Sequence, residues 1–151
     1  MVVSILKYFS DLKHGWAKFS LGDFTCKCSY IQNIPLVILK ACKDFKDNGY
    51  CVIFIDSENY GNEIFITQHD IHAFVYHGIT KYYNLNKYFN SLGEKNNLLH
   101  DLALDILQNV DEWAEWLCIT NPRLSCYDNI LQEYKNNIIE YAEVNNIYRD
   151  L

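Results

Sequence analysis

The apolar residues of the opening segment, Val2, Ile5, Leu6, Phe9 and Leu12, recur at intervals of three and four, with Gly15 placed where such a run would stop. That spacing predicts a short amphipathic helix over 2–13. From Lys18 to Ile31 the period changes to two. Phe24, Cys26, Cys28 and Tyr30 fall on one face and Thr25, Lys27 and Ser29 on the other, after a Gly22-Asp23 turn signal, so a strand is expected, paired as a hairpin with Phe19 and Leu21. Asn33 then offers an N-cap, Pro35 suits a first helical turn, and Leu36, Leu39, Cys42 and Phe45 form one stripe that should end at Asn48-Gly49. Tyr50 to Ile55 is a nearly continuous β-favouring run, as in a strand covered on both faces. After a polar turn at Ser57 to Asn62, the stretches Glu63 to Thr67 and His72 to His77 continue an antiparallel meander that Gly78 should close.

The remainder reads as helical. Lys81 to Gly93 is expected to be a short helix. Leu99, Leu102, Ala103, Ile106, Val110, Trp113, Ala114 and Leu117 keep core-facing spacing through one long helix over Leu98 to Cys118. Asn121-Pro122 breaks the chain before a last helix over Tyr127 to Ile147, and no repeat or flexible linker interrupts the whole. The expected architecture is α+β: a single domain over 1–151 with an N-terminal helix, a central antiparallel sheet and an α-helical C-terminal third.

Composition narrows the function classes. Half of the 151 residues are hydrophobic and the chain carries 12 Tyr, 8 Phe and 3 Trp, which excludes intrinsic disorder. The formal charge is −6, and Arg123 and Arg149 are the two arginines, so an electrostatic nucleic-acid binder is not expected. No stretch approaches the roughly 18 consecutive apolar residues that suggest a membrane span. Met1 to Leu12 lacks the uninterrupted core of a signal peptide, which makes the cytoplasm the expected compartment and free thiols the expected state of the six cysteines. The charge is unevenly placed: residues 1–93 hold eight acids against nine bases, and residues 94–151 hold eleven against four. A surface meeting a basic partner and a plain solvated acidic face both fit that asymmetry.

Reaction chemistry is less visible. Cys26-x-Cys28 with His69-x-x-His72 could form a tetrahedral zinc site were their strands adjacent, but two cysteines on one strand face also simply pack, and neither metal nor cofactor is expected. A small hydrolase or transferase could use Asp56 and Glu58, which end a strand, or a cysteine with a histidine base. Asp56, Glu58 and Tyr60 could equally belong to a binding surface or an ordinary turn. The isolated glycines form no phosphate-cradling loop. On the long predicted helix, Asp101, Asp105, Glu112 and Glu115 would share nearly one face, with Asp111 beside them and Trp116 as a possible aromatic anchor at the border. Mutual repulsion makes such a stripe unhelpful to the helix, whereas a cationic partner would cancel it.

Three segments resemble the small immunity proteins of bacterial contact-dependent growth inhibition and polymorphic-toxin systems: Trp16-x-x-Phe19-Ser20-Leu21-Gly22-Asp23, Ser29-Tyr30-x-x-Asn33-x-Pro35-Leu36, and Val52-Ile53-Phe54-Ile55-Asp56-x-Glu58. The resemblance covers about a third of the chain. It implies a cytoplasmic, non-enzymatic protein that binds the C-terminal toxin domain of a cognate effector, often a basic nuclease. The acids at 101, 105, 111, 112 and 115 would then be the natural toxin-binding face.

Overall fold

The computed structural model describes residues 6–13 and 15–147, and its chain order is three strands, a helix, four strands and three helices. β1 (Phe9–Lys13), β2 (Trp16–Leu21) and β3 (Phe24–Ser29) form one antiparallel sheet in sequence order. The β2–β3 hairpin is the one predicted, closing through Gly22 at φ 59° with Leu21 opposite Phe24. A side chain at Gly22 would run into the ring of Tyr88, so that position needs glycine for space as well as conformation.

The predicted N-terminal helix is overturned over residues 9–13, which are strand β1; residues 1–5 lie outside the described part. The cause is a bulge. Phe9 pairs with Phe19 and Ser10 with Lys18, but Lys13 pairs with Trp16, so β1 holds one extra residue, with Asp11 at φ 56°. The extra residue reverses the alternation, and Phe9 and Leu12, three apart, both reach the core. A bulged strand therefore reproduces the spacing of a helix.

α1 (Ile34–Asn48) begins and ends as its sequence predicts. Asn33 Oδ1 accepts from the Leu36 N–H, Pro35 lies in the first turn, and Gly49 at φ 79° donates its N–H to the Phe45 carbonyl. β4 (Tyr50–Asp56), β5 (Gly61–Thr67), β6 (Ile71–His77) and β7 (Ile79–Asn84) then form an antiparallel meander. β7 replaces the short helix expected over 81–93. Gly78, at φ 73°, reverses the chain instead of closing the sheet, and the β-favouring run Ile79-Thr80-Lys81-Tyr82-Tyr83 pairs back along β6. Gly93 lies inside the next helix, α2 (Leu92–Leu107), which opens with a capping box between Ser91 and Glu94.

The long helix expected over 98–118 is two helices. α2 ends at Leu107 and α3 (Val110–Leu117) starts afresh after Gln108 and Asn109. α4 (Tyr127–Val144) closes the described chain. Buried side chains from both sheets and all four helices merge into one core, which makes the protein α+β as its patterning predicts.

Asp105 organises the corner between α2 and α3. Its carboxylate accepts the backbone N–H groups of Lys7 and Tyr8, at 2.8 and 2.7 Å, and its carbonyl accepts from Asn109 Nδ2 and Trp113 Nε1. Burial raises its pKa, against the opposing pull of those backbone donors. Replacing Asp105 by Asn removes one acceptor oxygen, and we expect a loss of about 2 kcal/mol in urea denaturation at pH 7. Glu112→Gln, on an exposed side chain, should stay within about 0.5 kcal/mol of wild type. An Asp105→Asn variant as stable as wild type would mean that this carboxylate does not hold the N-terminal segment.

Candidate functional site

The residues singled out on the acidic helix do not form one surface. With the helix broken at Gln108-Asn109, Asp101 and Asp105 belong to α2 and Asp111, Glu112 and Glu115 to α3. Asp105 and Trp116 are buried, at 3% and 4% exposure. Asp101 is engaged by the Lys7 ammonium at 2.6 Å, and Asp111 by Lys135 at the same distance. Glu112 and Glu115 stay exposed. The stripe was a property of an uninterrupted helix, and the corner that Asp105 and Trp113 build dissolves it.

The secondary candidates fare differently. Asp56, Glu58 and Tyr60 lie in the β4–β5 hairpin, where Asp56 Oδ1 accepts the Glu58 N–H at 2.8 Å and Glu58 turns the chain at φ 72°. That is the bonding of a turn. Ser57 Oγ donates to the Lys27 carbonyl, Asn62 Nδ2 donates to Ser57 Oγ and to the Ile55 carbonyl, and the Gln32 side chain bonds both Phe54 O and Asp56 N. These bonds anchor the hairpin to β3 and to the lead-in of α1, and Tyr60 rests against the ring of His77 at 5.3 Å.

Next to this hairpin lies the feature that the sequence reading missed. β4 is not covered on both faces: Cys51, Ile53 and Ile55 are buried, while Tyr50, Val52 and Phe54 are 58%, 45% and 44% exposed. The register carries this outer row across the sheet. Val52 stands opposite Phe65, Phe54 opposite Glu63, Glu63 opposite Phe74, Gly61 opposite Tyr76, and Phe74 opposite Tyr82. The rings touch: Phe65 meets Phe74 edge-on at 5.6 Å, Phe74 and Tyr76 lie nearly parallel, and Phe74 lies 5.3 Å from Tyr82. Phe54 leans over Gly61, where a Cβ would come within 3.2 Å of its ring. His72 joins the row, its Nδ1 bonded to the Tyr82 hydroxyl at 2.6 Å.

This outer face is rich in aromatic rings, and its carboxyl side chains, Glu63 and Asp56, are not balanced by a lysine or arginine at any outward position of the four strands. Contiguous exposed aromatic surface is uncommon on monomeric proteins and marks places where another surface docks. The sequence did hold a signal for it, namely Phe54, Phe65 and Phe74 set between aliphatic residues in three successive strands, with Tyr76 two positions after Phe74. In β4 the alternate positions are apolar too, and so the run Tyr50 to Ile55 predicts a strand covered on both faces.

The other proposed chemistries are not assembled. Cys26 and Cys28 lie on β3, while His72 lies on β6 of the other sheet and His69 in the turn before it, and among the described residues no three His, Cys, Asp or Glu side chains gather as a metal site. All six cysteines are free thiols. Burial pushes Cys42 and Cys51 up to about 12, and a hydrogen bond with Cys28 together with burial pushes Cys26 up as well. Among the described residues no helix is long and apolar enough to cross a membrane. No protein-family model, curated protein or solved structure matches the chain.

The thiol environments predict a labelling pattern. In the folded protein at pH 8, iodoacetamide should modify exposed Cys126 readily and leave Cys26, Cys42 and Cys51 untouched until denaturant is added, as read by peptide mass mapping. Rapid modification of Cys42 or Cys51 would revive the reading of a cysteine nucleophile.

Proposed function

We propose that this chain is an immunity-type inhibitor that acts in the cytoplasm by binding the C-terminal toxin domain of a cognate bacterial effector, and that it does so through the outer face of the β4–β7 sheet. The observation that carries the reading is the open row formed by the rings of Phe54, Phe65, Phe74, Tyr76 and Tyr82 with Val52 beside them. Tyr, Phe and Trp are enriched in protein interfaces because they offer a large contact area at little conformational cost. The strands hold the row on a rigid surface, so little entropy is lost in ordering it.

Charge supports the same partner. The protein carries −6 overall and the row itself displays carboxylates without cations, which favours encounter with a basic surface. Basic nucleases are frequent among the toxins that such proteins neutralise, as the resemblance of the Trp16–Glu63 region implies. The face differs from the one suggested by the helical acids, since Asp105 and Trp116 are core residues and Asp101 and Asp111 already have lysine partners.

The test is a growth assay. The C-terminal domain encoded by the reading frame beside this gene is expressed in a laboratory host with and without the chain. Wild type should restore growth, and Phe54→Lys/Tyr82→Lys should fail to, with an affinity loss of roughly 30-fold or more and an unchanged melting temperature. Asp101→Ser/Glu112→Ser/Glu115→Ser should still protect. Absence of rescue by wild type would defeat the inhibitor reading, and rescue by the double lysine variant would remove the sheet face from it.

A further inference from the structure

Resting on that reading of the face, we propose that Glu63 and the rings beside it form a receptor for an arginine side chain of the bound protein. Glu63 stands in the middle of the row, with Phe54 directly opposite on β4, Phe74 directly opposite on β6, and Phe65 two residues along its own strand. Directly opposite positions place their Cβ atoms about 5 Å apart, so the carboxylate rises between two phenyl groups. Tyr76, beside Phe74, donates its hydroxyl to Glu63 Oε2 at 3.4 Å, a long bond that leaves the carboxylate most of its accepting capacity. Among the described residues Glu63 is in no ion pair.

This position is a poor choice for the sheet alone. Glutamate is a weak strand former, and a carboxylate flanked by phenyl rings gains none of the packing that an aromatic or β-branched residue would have there. Half-buried among rings, it also loses part of its hydration. A cation supplies both missing interactions: it pairs with the carboxylate and lies against ring faces whose electron density attracts it. The ligand geometry favours guanidinium over ammonium. The face is a flat row of rings rather than a closed cage, and a planar fork can lie along it while offering two parallel N–H groups to one carboxylate, whereas a lysine ammonium offers a point charge that keeps its own water.

The experiment uses the full chain and small probes, so its failure is distinct from failure of the growth assay. Aromatic and side-chain NMR resonances are followed while N-acetyl-arginine methylamide is added, with the neutral citrulline analogue and the lysine analogue as comparisons. The expected result is shifts confined to Phe54, Glu63, Phe74 and Tyr76, with the arginine probe binding about tenfold more tightly than the citrulline one and measurably more tightly than the lysine one. Glu63→Gln should abolish that preference. Glu63→Thr should do the same while melting at or above the wild-type temperature, because threonine suits the strand better. Equal responses to arginine and citrulline, an undiminished preference in Glu63→Gln, or a lower melting temperature for Glu63→Thr would overturn the assignment. Rescue of growth by Glu63→Gln at wild-type strength, with the Phe54→Lys/Tyr82→Lys variant inactive, would overturn it while leaving the docking face in place.

Discussion

In the larger sheet β4, β5 and β6 each bury one row of side chains and leave the alternate row open or half-open, and the proposed docking face follows from that one-sided burial. Ile53, Ile55, Ile64, Ile66, Ile71 and Ala73 are fully or almost fully buried, and α1, packed on β4, belongs to the same core. The alternate row contributes little to that core. Two sheets and four helices could have enclosed both faces of the β4–β7 meander, but the helices are committed elsewhere: α3 contacts β1 and α4, and α2 packs against α1. Tyr50, Val52, Phe54, Tyr76 and Tyr82 consequently face outward, an arrangement that hydrophobic burial within the chain does not reward.

The second constraint lies at the α2–α3 corner. A helix that continued through Gln108 would have kept four carboxylates in line, at the cost of repulsion along its face. Instead the Asp105 carboxylate satisfies two N–H groups from the chain leading into β1, and its own carbonyl accepts from Trp113, whose ring meets Phe9 edge-on at 5.0 Å. One acid thereby ties the helical layer to the smaller sheet through hydrogen bonds and aromatic contact together. The segment with most of the negative charge is thus partly a structural device, and its remaining exposed acids are scattered rather than aligned.

Charge and ring placement combine differently on the sheet. Glu63 is a single carboxylate, invisible in a count that finds 19 acids along the chain, yet its two cross-strand neighbours are phenylalanines. An isolated charge in such surroundings is more selective than a stripe of exposed ones, because desolvation by the rings strengthens its interaction with a cation that fits and penalises one that does not. The β4–β5 hairpin, braced internally by Asn62 and fastened to β3 by Ser57 and to the lead-in of α1 by Gln32, keeps Phe54 in register with Glu63 without relying on a partner to order it.

Local physics was legible along the chain. The Asn33 cap and Gly49 stop of α1, the Gly22 hairpin, the strands from Tyr50 to His77 and the helix after Pro122 all followed from capping, turn chemistry and side-chain period, because each depends on residues within a few positions of one another. What the sequence could not show were choices made by distant contacts. The bulge that let Phe9 and Leu12 imitate a helix exists because β2 pairs with them, β7 forms because β6 offers an edge, and the helix breaks where Asp105 meets Lys7 and Tyr8. The site belongs to the same class. Apolar residues at every position of Tyr50 to Ile55 are equally consistent with two covered faces or one, and only the packing of the helices decided that the row of Phe54 and its neighbours would be left in the open.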